Sequence, residues 1–286
     1  MGAIAIADRQ YKTYVVSNEH SQFEVVPERG GIVTQWRAFD QEIFYLDEER
    51  FKDSSKSIRG GIPLLFPICG NTPDDTYTVN GQTYTLVQHG FARTLPWQVT
   101  AQSAAEASIT LSLESSEATL PHYPFQFRLD FIYTLKGTTL EQRYRHTNLS
   151  DQPMPFSTGI HPYFAVADKN NLEISLPSTD YKVKGDPAVN AFSGTFDFSQ
   201  DEIDYAFVNL QGQTATVTDR TANLTLTVQY DNNYSTLVFW TVKGKDFYCL
   251  EPWSGPRNAI NTGEQLLTAA PGETVETVIE MAVKKA

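Results

Sequence analysis

The chain has 286 residues, 41% of them hydrophobic and 12% aromatic, with a formal net charge of −12 and a pI of about 4.8. This composition is sufficient for a packed core and excludes an intrinsically disordered chain. The negative charge excludes nucleic acid and an anionic membrane surface as partners, because both would be repelled. A small anion held in a locally basic pocket is still compatible with it.

The start of the chain predicts a cytoplasmic protein. Residues 1–9 have no basic region, and their apolar stretch is too short for a signal peptide. No run approaches the roughly 20 apolar residues that a membrane span requires. Cys69 and Cys249 are the only cysteines, too few for a disulfide framework, so we expect both to be buried free thiols.

Short strands are predicted at residues 11–18, 23–26 and 43–46, followed by one or two helical turns at 47–52. The segment after them contains Arg59, which precedes two glycines and then prolines that are incompatible with a regular central strand. Glycines at that place allow a ligand to approach the backbone closely. Arg59 is therefore either a ligand-binding residue in a cavity or a surface arginine on a well-packed loop.

A hairpin is predicted at residues 77–85, with Asn80 and Gly81 in its turn. It leads into His89 and Arg93. A nearby guanidinium lowers the pKa of an imidazole and leaves it neutral. Since an isolated histidine is more often structural than catalytic, both interpretations of His89 stay open here.

Alternation of apolar and polar residues dominates the rest of the chain. It is clearest at residues 109–113, 125–133, 224–230 and 275–283, and further strands are predicted at 140–148, 172–176, 214–218, 237–242 and 247–253. About fifteen short strands with almost no helical periodicity predict an all-β protein of two large antiparallel sheets. Because neither a repeat nor a convincing linker occurs, we expect one domain over residues 1–286.

His161 lies at the end of another predicted strand, residues 155–160, and precedes Pro162. A side chain at a strand end is held rigidly at the rim of a sheet, which suits catalysis as well as a structural role. The five histidines show none of the spacings that zinc sites favour, and no cysteine pair is near them. We therefore predict no metal site.

Glu251 is the most unusual acid of the chain. It shares one face of the predicted strand 247–253 with Phe247 and Cys249. A carboxylate on an apolar face is costly to bury unless it is paired or its pKa is raised. A raised pKa would suit a general base near neutral pH, and the alternative is a hydrogen-bonded structural acid.

Four segments together resemble the aldose 1-epimerase (galactose mutarotase-like) family, and more closely its hexose-6-phosphate mutarotase branch. The segments are Arg59-Gly60-Gly61-Ile62-Pro63, His89-Gly90-Phe91-Ala92-Arg93, His161-Pro162-Tyr163-Phe164 and Leu250-Glu251-Pro252. The resemblance covers nearly the whole chain in the right order. It implies a β-supersandwich, no cofactor, a monomer or weak homodimer, and interconversion of the α and β anomers of an aldohexose or hexose 6-phosphate.

The resemblance also implies a role for each candidate residue. Glu251 would remove the proton from the C1 hydroxyl, and His161 would protonate the ring oxygen as the ring opens. His89 would donate a second hydrogen bond near the ring oxygen. Arg59 and Asp204 would bind sugar oxygens.

Two departures concern the substrate. Galactose-specific members have two glycines after the first histidine and Thr-Gln after the glutamate, and this chain has neither. Arg93 occupies the position that phosphosugar members use for a cationic pocket, where it would hold a phosphate together with Arg59 through forked hydrogen bonds. Phosphorylated and free sugars are equally open at this point. Trp253 and Phe91 are expected either to stack on the sugar or to lie in the core.

Two other functions compete with epimerisation. One is a non-catalytic carbohydrate-binding module on the same scaffold. The other is a glycoside hydrolase with Asp204 and Glu251 as its two carboxylates. Two histidines beside a single clear acid favour ring opening over hydrolysis.

Overall fold

The computed structural model describes residues 2–286. Its first twelve strands are β1 (Ala3–Asp8), β2 (Lys12–Ser17), β3 (Ser21–Val26), β4 (Ile32–Ala38), β5 (Gln41–Glu42), β6 (Leu64–Leu65), β7 (Thr76–Val79), β8 (Gln82–Thr85), β9 (Gln98–Ser103), β10 (Ser108–Glu114), β11 (Phe127–Lys136) and β12 (Thr139–Asn148). The other strands are β13 (Met154–Phe156), β14 (Gly159–Ile160), β15 (Tyr163–Ala165), β16 (Leu172–Ser175), β17 (Asp180–Val183), β18 (Asn190–Ala191), β19 (Glu202–Val208), β20 (Thr214–Asp219), β21 (Leu224–Tyr230), β22 (Thr236–Val242), β23 (Phe247–Trp253), β24 (Leu267–Ala269) and β25 (Thr274–Lys285).

Helical structure is confined to short pieces. They are α1 (Glu48–Lys52), α2 (Ala259–Thr262) and three 3-10 turns at Pro27–Arg29, Pro73–Asp75 and Lys169–Asn171. The predicted turn at 47–52 is confirmed, since Asp47 caps α1 by accepting a hydrogen bond from the Arg50 main-chain N–H at 3.1 Å. Within residues 2–286, no helix has the length and apolar character needed to cross a membrane.

The strands form three large sheets and two ribbons. One sheet has five strands in the order β1-β2-β3-β4-β5, and a second has eight in the order β16-β20-β21-β25-β12-β11-β10-β9. The third has the order β18-β17-β19-β22-β23-β14-β6, with β15 also paired to β23. The ribbons are β7-β8 and β13-β24, and the named strands pair antiparallel throughout. The prediction of an all-β protein with large antiparallel sheets is confirmed.

The alternation seen in the sequence corresponds to the buried faces of the second sheet. In β11 every second residue is buried, namely Phe127, Leu129, Phe131, Tyr133 and Leu135. β21 and β25 follow the same rule, and their buried side chains join one large hydrophobic core. Period-two burial of this kind drives the pairing register, because a slip by one residue would expose the whole apolar face.

β23 is different, because all seven of its residues are buried. Tyr248 and Leu250 join the large core, whereas Phe247 and Cys249 pack against Tyr163 on the opposite face of the sheet. Glu251 is in phase with that second face. Its carboxylate therefore lies away from the main core and is nevertheless enclosed.

One predicted strand, residues 155–160, is divided in the structure. β13 pairs with β24, while β14 pairs with β6 and β23. The two residues between them bond elsewhere: the Ser157 N–H donates to the Pro67 carbonyl at 2.8 Å and the Thr158 N–H to Ser254 Oγ at 2.9 Å. The predicted hairpin at 77–85 is confirmed as β7 and β8.

Candidate active site

The six residues that the sequence singled out line one cavity of about 240 Å³ beside β23. They are Arg59, His89, Arg93, His161, Asp204 and Glu251. The sequence did not single out several other lining side chains, among them Lys184, Trp240 and Arg257. The fold therefore brings together residues that are up to 192 positions apart, counted from 59 to 251.

Glu251 is the centre of the cavity. Its side chain is 1% exposed, and His161 Nε2 lies 3.3 Å from its Oε1. The indole Nε1–H of Trp253 donates to its Oε2 at 3.2 Å. Burial raises the pKa of Glu251 well above its usual value, and the charge of Asp204 adds to that rise, while Arg257 and Arg93 oppose it.

His161 is fixed between main-chain and aromatic partners. Its main-chain N–H donates to the Pro63 carbonyl at 3.0 Å. Its ring stacks on that of Tyr163 with 4.8 Å between centroids, and the Trp240 ring contacts it edge-on with 5.5 Å between centroids. Burial, and secondarily the charge of Arg93, lowers the pKa of His161 to about 3. The imidazole of His161 therefore favours its neutral form, and the carboxyl of Glu251 favours its protonated form. The two groups in contact together hold one titratable proton.

His89 is held as one defined tautomer. The Gly70 main-chain N–H donates to the ring atom Nδ1 of His89 at 3.0 Å. The main-chain N–H of His89 donates in turn to the Gly70 carbonyl at 2.6 Å. Because Nδ1 accepts, the ring proton resides on Nε2, which lies 3.2 Å from the side-chain amide of Gln88. Burial first, and Arg93 second, lowers the pKa of His89 well below its usual value. His89 is thus a neutral hydrogen-bond donor, with its ring centroid 5.7 Å from that of His161.

The positively charged side chains of the cavity differ in whether they already bind other protein groups. Arg93 donates from a terminal nitrogen to the Gln88 carbonyl at 2.7 Å, and burial lowers the pKa of Arg93. The Arg59 guanidinium lies 5.9 Å from the centroid of the Trp240 ring. Within the described chain, residues 2–286, neither Arg59 nor Lys184 has a carboxylate partner.

Asp204 comes from β19, where it is opposite Trp240 of β22. One terminal nitrogen of Arg257 donates to both of its carboxylate oxygens, at 2.8 and 2.9 Å. Arg257 was not predicted from the sequence, although Gly255-Pro256-Arg257 directly follows the strand that carries Glu251. A turn signal directly after a strand with a buried acid was the available clue.

The two aromatic candidates separate in the structure. Trp253 lines the cavity and is 1% exposed. Phe91 does not line it; its ring packs against Phe66 and stacks on Phe127 at 5.9 Å between centroids. Of the two alternatives for Phe91, the structure favours the core, because its partly buried ring packs against the main apolar cluster.

Among residues 2–286, one cluster of side chains has atoms suited to a metal ion. One ligand atom each from His161, Cys249 and Glu251 lie within 4.8 Å of one another. The thiolate is the form of cysteine that binds metals. Burial in apolar surroundings raises the pKa of Cys249 well above its usual value, which keeps the thiol protonated. A protonated thiol disfavours metal binding, and the absence of a metal site stays a prediction.

A stability prediction arises from the glycine that faces Trp253. Gly159 of β14 pairs with Trp253, and a Cβ at Gly159 would lie 2.7 Å from the Pro252 carbonyl oxygen and 2.9 Å from Trp253 Cδ1. Gly159→Ala is expected to lower the free energy of unfolding by about 1–3 kcal/mol, since the added methyl overpacks the strand pair. Urea denaturation measures this change. The matched control is Gly212→Ala, where the nearest atom to a Cβ is 3.9 Å away, and equal losses in the two variants would contradict the explanation.

Comparison with known proteins adds the following. A family model described as "Aldose 1-epimerase" matches residues 12–282. The structure of the Slr1438 protein from Synechocystis sp. PCC 6803 is similar over 98% of this chain and 97% of its own, with 43% identity and a TM-score of 0.94. A galactose mutarotase-like protein from Clostridium acetobutylicum is similar over 99% of both chains, with 19% identity and a TM-score of 0.84. These likenesses confirm the predicted fold.

A further relative is known by sequence. A Cenchrus ciliaris protein named "Putative glucose-6-phosphate 1-epimerase" is 30% identical to this chain over 164 residues. The match covers 53% of this chain and 46% of that protein.

Proposed function

The chain belongs to the aldose 1-epimerase family, and from this premise we propose that it interconverts the α and β anomers of an aldohexose or of its 6-phosphate. One observation carries the proposal: His161 Nε2 and Glu251 Oε1 face each other at 3.3 Å inside a small polar cavity. Opening a hemiacetal ring needs one acid and one base on either side of C1, and this pair supplies both.

The proposed reaction begins with the shared proton on His161. The Glu251 carboxylate takes the proton of the C1 hydroxyl, the bond between C1 and the ring oxygen breaks, and His161 gives its proton to that oxygen. The products are an aldehyde at C1 and a free C5 hydroxyl. Rotation about C1–C2 and the reverse transfers close the ring as the other anomer, so no proton is gained or lost overall.

The protonation state of the free protein matches the middle of this cycle. After ring opening, Glu251 is protonated and His161 is neutral, which is the state that burial favours for each of them. The acid and the base for ring closure are therefore in place without exchange with water. The Nε2–H of His89 supplies a fixed donor for the ring oxygen, and Asp204 an acceptor for sugar hydroxyls.

Anomerisation of glucose, galactose and glucose 6-phosphate, followed by polarimetry, tests the proposal. We expect acceleration for at least one of these sugars. The competing function, a non-catalytic sugar-binding module, predicts saturable binding without turnover and binding that is indifferent to His161→Asn. Absence of acceleration for all three sugars would overturn the enzymatic proposal.

The charges of the cavity favour a phosphorylated substrate. Arg59 and Lys184 line the cavity without a carboxylate partner among the described residues, and Arg93 has one terminal nitrogen bonded to the Gln88 carbonyl. Guanidinium and ammonium groups that lack a carboxylate partner can bind a phosphate through charge-assisted hydrogen bonds. The relative from Cenchrus ciliaris is named for glucose 6-phosphate, which supports the same substrate class.

Arg59→Gln distinguishes the two substrate classes. We expect KM for glucose 6-phosphate to rise by about 10-fold or more, because a charge-assisted hydrogen bond is lost, and KM for glucose to change little. Initial rates over a range of each sugar measure this. Arg145→Gln, which removes a half-exposed arginine beside Glu276, serves as the control. Equal rises for both sugars in the Arg59 variant would count against a phosphate site.

We also propose the wider setting of the protein. The whole chain, residues 1–286, acts as one domain and as a monomer or weak homodimer. It works in the cytoplasm, where a reducing environment suits two buried, unpaired cysteines. Its net charge of −12 supports a small-molecule substrate and neither nucleic acid nor an anionic membrane as partner.

A further inference from the structure

Arg257 contacts two different parts of the cavity wall. Its terminal nitrogen bonds both carboxylate oxygens of Asp204, at 2.8 and 2.9 Å. Its guanidinium carbon also lies 5.1 Å from the centroid of the Trp253 ring, in a cation–π arrangement. The side chains of Arg257 and Asp204 are only 20% and 11% exposed, so solvent screens this pair weakly.

Trp253 connects Arg257 to Glu251. The indole that carries the guanidinium on its face donates its N–H to Glu251 Oε2 at 3.2 Å. Glu251 and Trp253 are two residues apart on β23 and share one face of it. A displacement of the guanidinium would therefore reach the carboxyl through a single intervening side chain.

Gly70 provides the space for Arg257. A Cβ at Gly70 would lie 2.4 Å from Arg257 Cγ, and the φ of +73° at Gly70 is itself a conformation that favours glycine. The N–H of the same residue donates to His89 Nδ1 at 3.0 Å. One loop residue thus fixes the tautomer of His89 and seats Arg257.

We propose that Arg257 is a positioning residue that holds Asp204 and Trp253 in place beside Glu251 and thereby keeps Glu251 able to act as a base. This inference rests on the proposed function. It assigns to Arg257 no contact with the reacting atoms: one of its terminal nitrogens is bonded to Asp204, and its guanidinium lies over the ring of Trp253.

The charges around Glu251 give the direction of the effect. The titratable or charged groups that interact with its carboxyl are His161, Asp204, Arg257, Arg93, Tyr163, Cys69 and Cys249. Asp204 raises the pKa of Glu251, and Arg257 lowers it. Removing Arg257 raises the pKa of Glu251 in two ways. A positive charge that lowers this pKa is lost, and the negative charge of Asp204 is no longer compensated.

Arg257→Gln tests the proposal. We expect kcat/KM to fall on the order of 10- to 100-fold through misplacement of the catalytic groups, and the acidic limb of its pH profile to move up by roughly one pH unit. Arg257→Lys keeps the charge. It should therefore restore the position of the acidic limb of the pH profile more fully than it restores kcat/KM. In Asp204→Asn/Arg257→Gln the limb should return toward the wild-type position, because the uncompensated carboxylate is gone.

Arg220→Gln is the matched control, since Arg220 also pairs with a carboxylate, Glu173, at 2.8 Å but lies outside the cavity. It should leave both the rate and the pH profile unchanged. A rise in KM alone in Arg257→Gln, with an unmoved acidic limb, would overturn the proposal and make Arg257 a substrate ligand. Failure of the double variant to restore the limb would also overturn it.

A measurement without turnover separates this inference from the proposed function. Titration of Glu251 by NMR with glutamate labelled at the carboxyl carbon, assigned with Glu251→Gln, reports the same shift in the resting protein. An upward shift in Arg257→Gln supports positioning even if every sugar fails as a substrate. An unchanged titration overturns positioning even if the protein is an active epimerase. Where Arg257→Gln does not fold, Arg257→Lys is judged by its rate: a loss of kcat/KM supports positioning, and a wild-type rate overturns it.

Discussion

Glu251→Gln lowers kcat for anomerisation by roughly 10²- to 10⁴-fold, the range that a positioned acid–base group contributes. Glutamine fits the same volume and accepts the hydrogen bond of Trp253 through its carbonyl, but it cannot take the proton of the C1 hydroxyl. Polarimetry at saturating sugar measures the loss. Full activity in this variant would refute the role of Glu251.

Stability measurements accompany this prediction, because a failure to fold would imitate a loss of catalysis. Burial raises the pKa of Glu251, so its contribution to stability is present below the ordinary value of 4.5 and is lost as pH rises through the folded value. The glutamine variant avoids that loss and is expected to be at least as stable as the wild type at neutral pH. The control is Glu24→Gln, which removes a buried carboxylate paired with Arg9 outside the cavity. It should lower stability and leave kcat unchanged.

His161→Asn is expected to lower kcat by a similar factor, roughly 10²- to 10⁴-fold. Asparagine retains a hydrogen-bonding amide near Glu251 Oε1 but has no titratable nitrogen, so the ring oxygen receives no proton as the C1 bond breaks. The same polarimetric assay applies. If catalysis survives, the proton donor is another residue, and His89 is the first to test.

The same variant changes how stability depends on pH. In the wild type the native pair holds one proton, and between pH 4.5 and 6.5, the ordinary values of the two groups, the unfolded pair also holds one. The pair then contributes no pH dependence in that window. In His161→Asn the native state holds the Glu251 proton and the unfolded state does not, so stability falls as pH rises from 4.5.

Urea denaturation across this window measures the difference. The wild type should gain stability relative to the variant as pH rises from 4.5 toward 6.5. Parallel curves for the two proteins would show that the proton is not shared as described.

Much of the fold could be predicted because alternation is visible in a single sequence. β11, β21 and β25 each have one apolar face, and their strands are confirmed. β23 shows the limit of that signal: its sequence places Glu251 on one face, but it does not tell that β14, β15 and β22 pair with this strand. The division of strand 155–160 was invisible for the same reason, since it depends on partners elsewhere in the chain.

The candidate site was also predicted only in part. Arg59, His89, Arg93, His161 and Glu251 were singled out from their neighbours in the chain, and Asp204 from the family resemblance. All six line one cavity, and their roles stay predictions. Arg257 and Lys184 were missed: the turn after the strand of Glu251 was the available clue to Arg257, and no periodicity or motif marks Lys184. Arg93 was expected as a phosphate ligand and as a cation that lowers the pKa of His89. It lowers the pKa of His89 and also that of His161, which was not predicted.

Ring opening and attack of water at C1 both change the anomer, but they treat the C1 oxygen differently. Opening converts the C1 hydroxyl into an aldehyde and back, so that oxygen stays in the sugar. Displacement by water, as in a glycoside-hydrolase mechanism with Asp204 and Glu251, replaces it.

Anomerisation in ¹⁸O-labelled water, followed by mass spectrometry of the sugar, therefore tests the central claim most directly. We predict that enzyme-catalysed interconversion proceeds over many turnovers with no incorporation of ¹⁸O at C1 beyond that of the sugar alone. Incorporation of one labelled oxygen per turnover would contradict acid–base ring opening by Glu251 and His161.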